Sequence, residues 1–520
     1  MITSLFAAVV LAQPISLPVA ADTFTSNKVR LLSQVPLSGF AGNPASGAGC
    51  TGYVSASGRE YAIIGLRNGT GIVEITNPTA PVKVGHIAGP LSLWHELAVL
   101  GNFAYAVTEA GGGMQIIDLT QADSGTVSLA STFTWAGNSR SHTVQASPVT
   151  KTVYLNGSAD MANGGLIALD ATNATAPTLV GTWDVSYVHD STIWNPTTGP
   201  WAGKEIIFAC CGFNGLYIID ATNRANMVTL GHIQYLTVGT YCHSGSLSPD
   251  GKTFMINDEF DEGSGVSEGA TTHLINVENL TAPRYIGTFS NGAEIIDHNS
   301  MVQDGHMMLA AYKGGLRVYD VVRTDRIAEN GYFDTYPEGQ GYDYQGAWGT
   351  FAGFPSGNVI ISDINRGLFV VDPSEAKGWG APITAVTAVG ANATTAKALR
   401  KNDGTRFTLQ APRAGSADVT VKFETAANPR TTIGFSAQVQ SATEGDTLVL
   451  FVKNVKLNRL QQVSQWTLRS KPTSYSTRFP LAASAFVSAT GQIESQWVVI
   501  RRARTAGVAA VIDMIRADLK

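Results

Sequence analysis

At 520 residues the chain is too long for one ordinary core, so two domains are expected unless repeats extend the architecture. Only 14% of residues are charged, and 54 glycines and 21 prolines accompany them, a mixture that suits an all-β protein with many tight turns. The net charge of −5, with both signs interspersed, excludes the basic stripe that a nucleic-acid partner needs and any polybasic membrane contact.

The first 21 residues, MITSLFAAVVLAQPISLPVAA, carry an apolar run from Leu5 to Ala12 and small residues before Asp22. This is the pattern of a secretory signal cut near Ala20 or Ala21, although no Lys or Arg precedes the run. Export agrees with five N-glycosylation sequons, at Asn68, Asn156, Asn173, Asn279 and Asn392. A secreted or cell-surface protein is therefore expected. No later stretch reaches the roughly 18 apolar residues of a membrane span. Cys50, Cys210, Cys211 and Cys242 allow up to two disulfides, with one of the adjacent pair bridging to Cys242. CxxC spacing is absent.

From residue 71 a short strand of the form Gly-Leu-x-x-x-Asp recurs. The copies are GIVEIT at 71–76, GMQIID at 113–118, GLIALD at 165–170, GLYIID at 215–220, THLINV at 272–277, GLRVYD at 315–320 and GLFVVD at 367–372. Gly starts the strand after a hairpin, alternating aliphatic residues make it a buried strand, and Asp ends it at a turn. Each copy follows a hairpin such as GHMMLAAYKGG, and most lead into a fourth strand such as TNATAPTLVGTW. Each unit reads as four antiparallel strands, and units that cannot bury their faces alone must stack in a ring. The predicted fold is a seven-bladed β-propeller over residues 25–376. The seventh unit lacks an obvious fourth strand, and NKVRLLSQVPL at 27–37 is expected to supply it, so that the two ends of the propeller pin each other.

These repeats, together with EYAIIGLRNGTGIVEIT, GGGMQIIDLT, INDEFDE, AAYKGGLRVYD, GYFDTYPE and GAWGTFAGFPSGNVIISDINRGLFVVDP, resemble the LVIVD-repeat proteins called choice-of-anchor B over about residues 27–376. The resemblance implies a secreted or cell-surface propeller and supports fold far more than activity.

Histidines fall at one phase of the repeat: His95, His142, His189, His243 and His298, with Gln345 at the next interval and Cys50 and Thr51 in the first unit's slot. Each lies at the start of a unit's first strand, which lines the channel of a propeller. Imidazoles converging there, beside Glu96, Asp190 and Asp297, form a candidate site for a divalent ion such as Zn or Mn. The resemblance implies histidine at 142, 189, 243 and 298, whereas it more often has Arg-Asp where this chain has His95-Glu96. Asp258, Glu259, Asp261 and Glu262 in INDEFDEGSG form a second candidate, for Ca. His86, His232, His273 and His306 read as structural. The glycine runs lack a phosphate-loop context, so no nucleotide cofactor is expected, and neither GxSxG nor HExxH is present.

Residues 377–404 read as a linker, and 405–520 alternate as short strands of a β-sandwich-like domain, ending in AGVAAVIDMIRADLK as an amphipathic helix or last strand. Two function classes follow. One is a binding or adhesion module for an extracellular glycan or protein. The other is a metal-dependent extracellular hydrolase or polysaccharide lyase.

Overall fold

The computed structural model describes residues 23–235 and 239–377 and, beyond these, nine strands between Ile383 and Leu519 with a few adjoining residues. The expected signal at 1–21 and the sequon at Asn392 lie outside the described residues. The chain divides into two compact units after Val371.

The first unit is a propeller of seven blades, all antiparallel. Blade 1 takes Gly47–Val54, Glu60–Leu66, Gly69–Glu74 and Val82–Ala88 from the channel outward. Blades 2 to 6 repeat this order from first strands that begin at His95, Thr143, Asp190, Cys242 and Asn299. The first strands of successive blades touch in a closed ring, with blade 7 returning to blade 1. Blade 7 is built from both ends, as expected: Ala347–Phe351, Val359–Asp363 and Gly367–Asp372 are completed by Arg30–Val35. A two-residue strand, Ser26–Asn27, also pairs with the outer strand of blade 6, so the N-terminal segment spans two blades.

The second strand of each blade explains why stacking is obligatory. In Ile206–Cys210 of blade 4, Ile206, Phe208 and Cys210 enter the core shared with blade 5, whereas Ile207, Ala209 and the following Cys211 enter the core shared with blade 3. Alternation here divides residues between two apolar interfaces, not between core and water. Cys210 and Cys242 share the blade 4–5 core, yet all four cysteines are free thiols, and burial raises the pKa of Cys210 and Cys211.

The repeat motif has a steric cause at one end and a hydrogen-bonding cause at the other. Gly215 has φ +75°, and a Cβ there would overlap the Ile233 carbonyl of the outer strand; Gly367 (φ +86°) meets Val35 in the same way. At the other end, Asp118, Asp170, Asp220, Asp320 and Asp372 each accept a hydrogen bond from the backbone N–H two residues on, at 2.8–3.0 Å, which starts the turn to the next segment. By this rule two copies shift in register. The first is Gly69–Glu74, because Gly69 lies under the Ile87 carbonyl, and the fifth is Thr271–Asn276, where Asn276 takes the place of Asp.

Among the sequons, Asn173 and Asn279 are exposed at turns, but Asn156 is fully buried and donates to Thr143 Oγ1, which removes it as an acceptor in the folded chain.

The second unit contains two antiparallel sheets. One runs in the order 383–389, 416–424, 492–500, 447–454, 459–467, and the other 407–411, 507–519, 432–441, 473–480. One detail differs from the sequence reading: Ile383–Val389, inside the stretch read as linker, is an edge strand paired with Ser416–Glu424. Of the two readings of the terminal segment, the strand holds, Gly507–Leu519.

The closure yields a prediction. Phe369 of blade 7 is fully buried against Phe24 of the N-terminal segment and Phe333 of blade 6, at ring separations of 5.2 and 5.7 Å. Phe369→Ala should cost about 3–5 kcal/mol, measured by chemical denaturation, and the expected accompaniment is faster proteolysis of the N-terminal segment.

Candidate functional site

The edge of each first strand that faces the channel has no backbone ladder to its neighbour, so side chains there must satisfy carbonyls. His189 Nδ1 donates to the His243 carbonyl at 3.1 Å, and His298 Nδ1 donates to the Trp348 carbonyl at 2.6 Å. Thr143 and Ser244 hydroxyls donate to the His189 and His298 carbonyls. His243 Nδ1, by contrast, is buried without a hydrogen-bond partner. Because a carbonyl can only accept, the bonded Nδ1 atoms carry the proton and leave Nε2 of His189 and His298 with a free lone pair.

Four of the predicted histidines form one arc. Ring separations are 4.0 Å for His142–His189, 4.1 Å for His189–His243 and 4.3 Å for His243–His298, and Tyr312 continues the arc at 4.3 Å. They border a channel cavity of about 540 Å³ that is also lined by Glu96, Asp190, Trp348 and Gly49. Glu96 Oε1 accepts from Trp348 Nε1 at 2.5 Å, and a Cβ on Gly49 would displace the Glu96 carboxylate from this position. Asp190 Oδ1 is held by Gln145, Thr143 and the Ser191 N–H.

Three expected members lie elsewhere. His95 turns out of the channel into the contact between blades 1 and 2, where it meets Thr70 at 3.1 Å, and Glu96 takes the channel position. Gln345 accepts from Asn365, and Trp348, 50 residues after His298, fills the blade 7 slot in its stead. Asp297 is fully buried away from the cavity, between Asn257 and Thr272.

The acidic hairpin splits its residues between two places. Asp258 is saturated by Tyr235 Oη and by the N–H groups of Tyr241, Phe260 and Asp261, so it folds the turn and offers no free oxygen. Glu259 instead reaches the histidine arc. Its two oxygens lie 3.8 Å from His243 Nε2 and 3.8 Å from His298 Nε2, and Tyr312 Oη donates to Oε1 at 2.6 Å. Ligand atoms of His189, His243 and Glu259 all fall within 4.8 Å of one another. For comparison, a tetrahedral ion with bonds of about 2.05 Å separates its donors by about 3.4 Å. Tyr312 holds φ +40°, a strained value for a residue other than glycine, while its backbone bridges to Ala347.

Burial sets the electrostatics. It lowers His189 and His243 well below the ordinary imidazole value, with neighbouring imidazoles adding to the effect, and brings His298 to about 3. All three are neutral at physiological pH. Burial also raises Glu259 and Asp190, and raises Glu96 to about 7 against the opposing Trp348 hydrogen bond. His142 differs in donating Nδ1 to Glu109 at 2.6 Å.

Beside the arc stands a group of aromatic rings. Tyr241 packs on His189, Phe213 and Phe260, and Tyr344 packs on Tyr312; Phe213 and Tyr344 are 65% and 46% exposed. The sequence held a signal for part of this group, since SYVH and TYCH repeat a Tyr-x-His pattern at 187–189 and 241–243. Glu109 gave none.

With the geometry in place, comparison with known proteins is informative for the repeat alone. Residues 48–88 match the LVIVD repeat. They are the four strands of blade 1. No curated protein matches the chain. Similar solved structures include YCF48 bound to D1 peptide (9% identity, 68% of this chain and 98% of that one, TM-score 0.43) and the WD40 repeats of RRP9 (9%, 66% and 97%, 0.42). An exo-β-1,3-galactanase from Phanerochaete chrysosporium with galactose is similar at 9% identity, over 81% of this chain and 95% of that one, with a TM-score of 0.31.

Glu96 supplies a pH prediction. Its folded pKa, about 7, lies above the ordinary 4.5, so its stabilising contribution is full below pH 4.5 and is lost as pH rises through 7. In metal-free protein, Glu96→Gln should match the wild type near pH 4 and exceed it at pH 8 by on the order of 2 kcal/mol, read as a difference in Tm.

Proposed function

We propose that the protein is a binding module whose channel site holds a divalent transition metal of the zinc or manganese class, with an extracellular glycan or protein as its ligand. His189, His243 and Glu259 would hold the ion, with His298 beside them. One observation carries the reading: the buried, neutral imidazoles of His243 and His298 present Nε2 to a carboxylate that is itself held by a tyrosine hydroxyl, while backbone carbonyls fix His189 and His298 in the Nδ1–H tautomer. Backbone satisfaction alone explains Nδ1 but gives no reason to bring Glu259 to the opposite nitrogen. When bound, the ion would offer an open position to a sugar hydroxyl or a carboxylate. The exposed Phe213 and Tyr344 would supply apolar stacking surface for the same ligand.

Secretion or display at the cell surface belongs to the same proposal. It is supported by the apolar run Leu5–Ala12, the exposed sequons at Asn173 and Asn279, and the resemblance to choice-of-anchor B proteins.

Chelator-treated protein titrated with Zn²⁺ or Mn²⁺ should bind one ion in the channel and gain thermal stability. His243→Ala and Glu259→Gln should each weaken that binding by at least roughly 10–100-fold. Unchanged Tm on both chelation and metal addition would remove the proposal. The low His298 value adds a second expectation, because protons compete weakly for this imidazole. Acid release of metal should follow protonation of Glu259 and not an imidazole titration near pH 6.5.

A second reading, a metal-dependent hydrolase or lyase, is favoured by Glu96, whose pKa near 7 suits proton transfer inside the same cavity. Turnover of a polymeric uronate or ester by the metal-loaded protein, abolished by Glu96→Gln while metal binding persists, would establish it. Absence of turnover across such substrates leaves the binding module as the better account.

A further inference from the structure

The hairpin that sends Glu259 to the channel and spends Asp258 on its own turn directs Asp261 and Glu262 into the protein. Asp261 is fully buried and Glu262 is 2% exposed. There they meet Asp297, fully buried, from the segment that links blades 5 and 6; one oxygen from each of the three lies within 4.8 Å of the others.

Most of these oxygens are already used. Asp261 accepts from the Glu262 N–H at 3.0 Å, from Ser267 Oγ at 2.5 Å and from His273 Nε2 at 2.9 Å. Glu262 Oε1 accepts from the Thr271 N–H at 2.8 Å, and Asp297 Oδ2 accepts from Asn257 Nδ2 and Thr272 Oγ1 at 2.9 and 3.1 Å. Glu262 Oε2 and Asp297 Oδ1 find no donor. Neither does Asn257 Oδ1, which belongs to a fully buried amide held against Asp297 by its own Nδ2.

Two of the three acids that meet here thus keep a buried carboxylate oxygen that finds no donor. Among the described residues no Lys or Arg pairs with any of the three acids; His273 is the only ion-pair partner, and it is committed to Asp261. Buried carboxylates this close cannot all stay ionised without compensation. Burial and mutual repulsion accordingly drive Glu262 and Asp297 upward. A single proton shared between Glu262 and Asp261 would still leave two negative charges among the three acids.

We propose that Asp261, Glu262 and Asp297 form a second and interior cation site that takes a hard, oxygen-seeking divalent ion of the calcium class. Carboxylate and amide oxygens are the ligands such an ion prefers, and one carboxylate can bind it through both oxygens. The ion would tie the blade 5 hairpin to the blade 5–6 link. Glu259 and His298, each near one of its ligands along the chain, would then be held in place for the channel. The proposal does not depend on the channel metal.

The test uses the full chain carrying His189→Ala and His243→Ala, so that the channel is silent, stripped with chelator and titrated with Ca²⁺. Tm should rise steadily with the logarithm of Ca²⁺ concentration. Glu262→Gln or Asp297→Asn, added singly, should abolish that rise and should stabilise the chelated protein by removing a buried negative charge. If Ca²⁺ leaves Tm unchanged while the chelated protein loses stability as pH rises from 5 to 8, the acids share a proton and the proposal falls. Should the added variants fail to fold, Tb³⁺ luminescence in the channel-silent chain gives an independent reading. Emission sensitised by Tyr235 and Tyr285, whose rings lie 5.0 and 6.0 Å from that of His273, and displaced by Ca²⁺, supports the site. Its absence overturns it.

Discussion

Each first strand of the propeller is hydrogen-bonded along one edge and open along the other, and the open edges meet around the channel. Carbonyls on such an edge are costly to leave without a donor, and no backbone ladder joins one first strand to the next. The chain resolves this with side chains that reach across to the next blade: His189 to His243, Thr143 to His189, Ser244 to His298, Thr192 to Gly245 and Ser246 to Ser300. Histidine is the donor with a second function to spare. A hydroxyl that donates to a carbonyl has finished its task, whereas an imidazole that donates through Nδ1 still presents Nε2 to the channel. The chemistry of the site thus follows from a requirement of the fold.

The acidic hairpin of blade 5 supplies the opposite charge. Asp258 consumes its own oxygens to shape the turn, and the shape divides the remaining acids between the channel and the interior. Glu259 faces three neutral imidazoles, while Asp261, Glu262 and Asp297 face one another. Two groups of side chains with different donors result. The nitrogen-rich one suits a borderline transition metal, and the oxygen-only one suits a hard cation.

The propeller could be read in the sequence because each blade restates the same local solution. The positive φ at Gly215 and Gly367 and the turn begun by Asp220 leave fixed letters at fixed spacing. The copies misread by one or two residues were those with substitutes, Glu74 and Asn276, at the aspartate position. Four channel histidines were legible for the same reason, since the slot recurs with the blade. His95 was misplaced because adjacent residues on a strand point to opposite sides, so a one-residue difference in register exchanges His95 for Glu96 in the channel. Gln345 failed because the link from blade 6 to blade 7 is longer by three residues than the spacing assumed, which brings Trp348 to the slot. Contacts such as Glu109 with His142, or Asp297 with Glu262, join residues from different strands and loops. No periodicity records them.

The central claim is that the histidine arc and Glu259 form a metal centre and do more than satisfy strand edges. Anomalous diffraction at the zinc edge, from crystals of the full chain grown with Zn²⁺, tests it directly. The account predicts one strong anomalous peak about 2 Å from His189 Nε2, His243 Nε2 and a Glu259 oxygen. A map without density there, in crystals whose surface histidines do carry zinc, would contradict it.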